Sequence, residues 1–259
     1  MTIKIQDAFK NGKAFIPFIL AGDPNLAATG KFIVSMAKAG ADLIEIGVPF
    51  SDPVAEGQVI QAASKKALDA GTTTDGIFDM VESIRDKVDI PLVLMTYINP
   101  IFVYGKDKFF ANCKKVGICG VIVPDMPFEE KDELLGSANA HDVEVVSLIA
   151  PTSEDRIGMI AKEAQGFIYC VSSLGVTGVR SEIKTDLNSI VSTIRKSTKV
   201  PTAIGFGIST PEQAQKMAAI ADGVIVGSAI IKIVDKYAGR AEQPIYDYVK
   251  KMKDAIRNI

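Results

Sequence analysis

A glutamate stands inside an otherwise apolar run, ADLIEIG, from Ala41 to Gly47. Strand alternation puts Leu43, Glu45 and Gly47 on one face and Asp42, Ile44 and Ile46 on the other. With Ile44 and Ile46 turned toward covering helices, Glu45 points inward. Burying a carboxylate is costly unless it is paired, and desolvation raises its pKa, which lets one group donate and accept protons near neutral pH. The competing reading is a structural glutamate paired with a buried Lys or Arg. The apolar runs of the chain contain no cation, which favours acid–base chemistry. The loop that follows, VPFSDPVAEG from Val48 to Gly57, adds Asp52 and Glu56. Such loops carry much of the chemistry of a rigid scaffold, although an acid ahead of a helix is more often an N-cap or first-turn charge.

Three glycine-rich segments lie further on: SLGVTG (Ser173 to Gly178), GFGIST (Gly205 to Thr210) and VGSAI (Val226 to Ile230). Glycine lets backbone amides approach an anion, and a following helix N-terminus adds its dipole. Gly207, Gly227 and Ser228 are the positions expected to hold a phosphate. The long SLGVTG loop is expected to act as a lid that excludes water. No Lys or Arg lies inside these segments. Backbone amides must then carry the binding, which suits a phosphate monoester better than a nucleoside triphosphate, and no Walker P-loop is present.

Elements must hold these groups together. Eight short apolar runs begin at Ala14, Ala41, Pro91, Gly120, Glu144, Phe167, Pro201 and Gly223. Longer stretches with helical spacing lie between them, such as NLAATGKFIVSMAKAG from Asn25 and PEQAQKMAAIADG from Pro211. Strands alternating with helices indicate a parallel sheet, and continuous apolar strands indicate burial on both faces. Eight repeats in 259 residues predict one closed (β/α)8 TIM barrel over residues 1–259. The alternative is an open doubly wound sheet, against which the missing GxGxxG after the first run counts. MTIKIQDAFK is expected to form an extra N-terminal helix over the barrel bottom. Val48 to Asp89 is long enough for an insertion with an extra helix after the second strand.

Composition removes other classes. A net charge of −2 offers no basic surface for nucleic acid or membrane. Cys113, Cys119 and Cys170 are odd in number and form no CxxC pair, so neither a disulfide framework nor a zinc site is expected. The only histidine, His141, lies in the polar stretch NAHDVE and reads as a surface residue. No metal is expected. The N-terminus has no signal-peptide core and no run is long enough to span a membrane, so a cytoplasmic protein is predicted.

The segment IEIGVPFSDPVAEG, Ile44 to Gly57, resembles the signature of the tryptophan synthase alpha subunit family. PFILAGDP (Pro17 to Pro24), MTYINPIFVYG (Met95 to Gly105), VIVPDMP (Val121 to Pro127), GVTG, GFGIS and VGSAI follow in the family's order, so the resemblance covers nearly the whole chain. It implies a carbon–carbon lyase that cleaves indole-3-glycerol phosphate to indole and glyceraldehyde 3-phosphate without metal or organic cofactor. Glu45 matches the family's general acid/base, and Glu56 matches the second acid, which accepts the indole N–H. Phe18, Met95, Ile122, Tyr169 and Phe206 match the indole slot, with Tyr97 nearby. Thr177 matches a lid residue that contacts the first carboxylate, and Gly178 stands beside it among the substrate-binding positions. The resemblance also implies a partner, the beta subunit, which holds pyridoxal phosphate, in an alpha2-beta2 heterotetramer. Asp52, Pro53 and Asn99 match the joining face.

The chain departs from the commoner family pattern in two places. Many members have Asp at the position of Glu56, and the extra methylene lengthens its reach by roughly an ångström, a distance that matters for positioning. Some relatives carry Arg where this lid has Ser173. Rival readings are another phosphosugar barrel, against which the long signature argues, and a weakly active barrel that mainly activates the beta subunit.

Overall fold

The computed structural model describes residues 3–152, 154–171, 186–205 and 207–259. Its strands are β1 Ala14–Leu20, β2 Ile44–Gly47, β3 Leu92–Met95, β4 Ile118–Ile122, β5 Glu144–Ile149, β6 Gln165–Val171, β7 Thr202–Gly205 and β8 Gly223–Val226. They pair in chain order as a closed parallel barrel, β8 returning to β1 through Ala14 opposite Gly223. This is the predicted (β/α)8 barrel, and closure removes the open-sheet alternative. The helices are α1 Leu26–Lys38, α2 Gln58–Asp69, α3 Thr74–Ile84, α4 Ile98–Tyr104, α5 Lys106–Val116, α6 Asp132–Ala140, α7 Glu154–Lys162, α8 Leu187–Ser197, α9 Pro211–Ile220, α10 Ser228–Tyr237 and α11 Glu242–Ile256.

Alternation along the strands divides the core in two. Ile44 and Ile46 join the shell between barrel and helices, with Phe15 and Ile19 of β1. Ile16, Phe18, Leu20, Leu43, Val93 and Met95 join a second cluster through the barrel interior. The period-two pattern therefore reads directly as in and out.

The N-terminal segment holds a short helix. It is a 3-10 helix, Ile5–Phe9, in which Asp7 accepts the Lys4 N–H at 2.9 Å. One short turn of this kind is satisfied by i→i+3 bonds. Ile5 fills space left by two glycines: a Cβ on Gly120 or Gly166 would come within 2.5 or 2.8 Å of its Cδ1. Phe9 packs on Phe167 with ring centroids 6.0 Å apart. Both α2 and α3 lie between β2 and β3, and α4 precedes α5 between β3 and β4. Pro100 sits in the first turn of α4, where its missing N–H costs nothing. Asp125, after β4, accepts the Ile98 N–H at 3.0 Å and so closes that helix start.

The last helix is locked to the barrel by a buried ion pair. Lys253 Nζ lies 2.7 Å from Asp42 Oδ2, with side-chain exposures of 10% and 18%. The lysine also donates to the Lys13 carbonyl at 2.8 Å, and the Asp42 carboxylate accepts the Phe15 N–H at 2.7 Å. Lys253→Met leaves a buried carboxylate without its cation and should lower the unfolding free energy by about 3 kcal/mol. Urea titration checks this; a change below about 1 kcal/mol would show that the pair is dispensable.

Candidate active site

Glu45 occupies the second position of β2, beside Phe18 of β1 and Val93 of β3 in the parallel register. It is 1% exposed. Neither carboxylate oxygen meets a hydrogen-bond partner among the described residues. Burial, and then the charge of Glu56, push its pKa to about 8. Among the described residues no cation reaches the side chain, which counts against the paired-glutamate reading, and the inward orientation read from alternation is observed.

Glu56 lies at the end of the loop after β2, one residue before Gly57, the N-cap of α2. It is not that cap. Its side chain is buried and turned into the barrel mouth, where burial raises its pKa to about 7 against the lowering effect of a hydrogen bond from Tyr97. Tyr97 follows β3; its hydroxyl also accepts the Ala55 N–H at 3.2 Å. Burial and the neighbouring Glu56 hold the phenol well above its ordinary pKa. On the far side, burial and the charge of Glu45 do the same to Tyr169. Two carboxyls thus share a buried pocket with two phenols, and burial, followed by the field of Glu56, favours the protonated form of Glu45.

Phe18, Met95, Ile122 and Tyr169 are buried in the interior cluster that lines this pocket. The neighbouring glycines leave room for the rings. A Cβ on Gly47 would stand 2.6 Å from the Phe18 ring, and one on Gly205 would stand 2.5 Å from the Tyr169 hydroxyl oxygen. Gly227 caps α10 with no side-chain hydrogen bond, and Ser228 begins that helix. By contrast, α9 after Gly207 is closed by its own capping box, Thr210 with Gln213. Of the two helix starts, only that of α9 is closed by side chains of its own. Gly207 has a φ of 83°, a left-handed conformation suited to glycine. Phe206, Thr177, Gly178 and the rest of the expected Ser173–Gly178 lid lie outside the described residues.

Asp52 and Asn99 are exposed and Pro53 is half-buried, on the segments that follow β2 and β3. Sequence reasoning missed their apolar neighbours. Val54, Phe102 and Val103 are 70%, 47% and 80% exposed. The signal was present in IFVYG, an apolar run in a helix too short to bury it. A cavity of about 610 Å³ reaches Val54 and Ala55 but runs outward past Pro124 and Leu148, touching neither glutamate; the chemistry follows the carboxyls, not that space. The three cysteines are free and buried. Among the described residues no group of three His, Cys, Asp or Glu side chains could hold a metal, and no helix is long and apolar enough to cross a membrane.

The closed TIM barrel thus carries two buried carboxyls with raised pKa values, one on its second strand and one in the loop after it, at the end of the barrel where this fold keeps its sites. The family profile described as tryptophan synthase alpha chain matches residues 5–257. The tryptophan synthase alpha chain of Lacticaseibacillus casei is 49% identical over 253 residues, covering 98% of this chain and 95% of that one. The crystal structure of the tryptophan synthase alpha chain of Legionella pneumophila superposes with a TM-score of 0.88 at 34% identity, over 100% and 99% of the two chains. A chain from a structure of the Pyrococcus furiosus tryptophan synthase a2b2 complex superposes at 0.83 with 31% identity, over 94% and 99%. The chain belongs to the tryptophan synthase alpha chain family.

Proposed function

We propose that this barrel, working as one domain over its 259 residues, cleaves indole-3-glycerol phosphate to indole and glyceraldehyde 3-phosphate. One observation carries the proposal: Glu45 is a buried carboxyl with no hydrogen-bond partner among the described residues, its pKa pushed to about 8 by burial and by Glu56. Protonated Glu45 gives its proton to indole C3. The positive charge that develops on the ring nitrogen is met by Glu56, which accepts the indole N–H. The Glu45 carboxylate then takes the proton of the glycerol hydroxyl as the carbon–carbon bond breaks. Electrons return to the indole ring and the hydroxyl carbon becomes the aldehyde. Glu45 ends protonated, so the cycle consumes no external proton and uses no metal or organic cofactor. Gly227, Ser228 and Gly207 hold the phosphate. Phe18, Met95, Ile122 and Tyr169 form the indole slot, and Phe206, Thr177 and Gly178 are further substrate-binding residues by their match to the family.

The partner is the beta subunit, which carries pyridoxal phosphate and takes the indole, in an alpha2-beta2 assembly in the cytoplasm. Asp52, Pro53 and Asn99, with exposed Val54, Phe102 and Val103 beside them in sequence, form the joining face. A barrel that serves only as activator has no use for two carboxyls buried against their solvation.

Because the reaction needs Glu56 ionised and Glu45 protonated, kcat/KM of the free enzyme should rise near pH 7 and fall near pH 8. A profile flat from about pH 5 to about pH 10 would contradict these roles. Gly205→Ala should lower kcat/KM about tenfold or more by driving Tyr169 into the pocket, since such overpacking costs about 1–3 kcal/mol. An unchanged kcat/KM would mean that the ring has room to move.

A further inference from the structure

Phe50 lies in the loop between β2 and α2, where no neighbouring strand satisfies its backbone. A single hydroxyl does so. Ser64 of α2 accepts the Phe50 N–H at 2.9 Å and donates to the Phe50 carbonyl at 3.0 Å. One lone pair and one proton suffice for both bonds. Ser64 is 1% exposed. Buried serine is a poor choice inside a helix unless its hydroxyl is used.

What the bridge holds is aromatic. The Phe50 ring packs on the Tyr97 ring, with centroids 5.2 Å apart and planes at 32°. Tyr97 in turn hydrogen-bonds the Glu56 carboxylate and accepts the Ala55 N–H. From the same helix as Ser64, Gln61 Nε2 donates to the Glu56 carbonyl at 2.7 Å. Between the two fixed points Ser51, Asp52 and Val54 are exposed, so the span from Phe50 to Ala55 is held at its ends.

We propose that Ser64 is a positioning residue: its double hydrogen bond to Phe50 seats the Phe50 ring against Tyr97 and thereby fixes the phenol that orients Glu56. This rests on the role proposed for Glu56 above. Loosening the phenol removes the bond that lowers the Glu56 pKa, so the acidic limb of the pH profile must move toward higher pH. The titratable groups coupled to that carboxyl among the described residues are Glu45 on β2 and Tyr97 after β3, with Asp125 acting on Tyr97.

The test is a double-mutant cycle on indole-3-glycerol phosphate cleavage by the full chain, at a temperature where every variant is folded. Ser64→Ala should lower kcat about tenfold with KM changed less than about twofold, as a misplaced group does. Its acidic limb should move the same way as that of Tyr97→Phe. In the Tyr97→Phe background the serine change should cost less than about twofold, because both act through one contact. A kcat within about twofold of the parent, or effects that multiply in the double variant, would overturn the proposal. If Ser64→Ala does not fold, Phe50→Leu keeps the backbone bonds and removes the ring contact. It should lower kcat and move the acidic limb in the same direction; an unchanged kcat and limb would overturn the proposal. Glu56→Gln separates the two levels. Cleavage that survives Glu56→Gln defeats the role of Glu56 itself, whereas an inactive Glu56→Gln beside a fully active Ser64→Ala defeats only the clip.

Discussion

Glu45→Gln is expected to lower kcat by about 10²–10⁴-fold, the usual contribution of a positioned acid–base group, while the substrate still binds. The same substitution should make the protein more stable at pH 8. Glu45 has a pKa of about 8 in the fold against 4.5 for an unperturbed glutamate. The folded state therefore holds this proton more tightly than the unfolded one. Below about pH 4.5 both states are protonated and the burial is tolerated. As pH rises from there toward about 8, the unfolded state ionises first and stability is lost. Glutamine removes that loss, for a gain of about 2–4 kcal/mol at pH 8. A denaturant titration at two pH values, run beside the assay, separates this outcome from misfolding. Lost activity with lost stability would mean that Glu45 holds the barrel together rather than performs the reaction.

Glu56 gives the second large effect. Glu56→Gln keeps shape and a hydrogen-bond acceptor but removes the charge that meets the cationic indole ring. Its kcat should fall by about 10²–10³-fold, as when a preorganised electrostatic partner is removed. Glu56→Asp keeps the charge and restores the commoner family residue, so activity should stay within about tenfold of the parent. A loss of about 10²-fold there would mean that Tyr97 and its surroundings are built around the longer side chain. Steady-state rates for the pair of variants decide between charge and reach.

How much of this was legible in the sequence depends on the range of the interaction. Glu45 was visible because alternation is local: Ile44 and Ile46 facing outward force it inward, and the structure has it so. The eight strands were visible for the same reason, with boundaries moved by a few residues. Glu56 was not visible alone, since an acid before a helix most often caps it. Only the family signature singled it out, and the structure gives the physical reason in Tyr97, whose phenol reaches it from the next strand end. The Ser64 clip left no trace, because a serine bonded to backbone 14 residues away has no period. The N-terminal helix was expected without a type, and only the structure gives it as the short 3-10 helix Ile5–Phe9. The short helix α4 escaped notice because Pro100 reads as a break unless it is known to sit in a first turn.

Cleavage of indole-3-glycerol phosphate by two buried glutamates is open to direct assay. The most direct measurement is indole release from that substrate by the purified chain, alone and with the beta subunit bound. Indole and glyceraldehyde 3-phosphate are expected in equal amounts, with release lost in Glu45→Gln although the substrate still binds. No detectable indole even with the partner bound, or release unchanged in Glu45→Gln, would contradict cleavage by these glutamates.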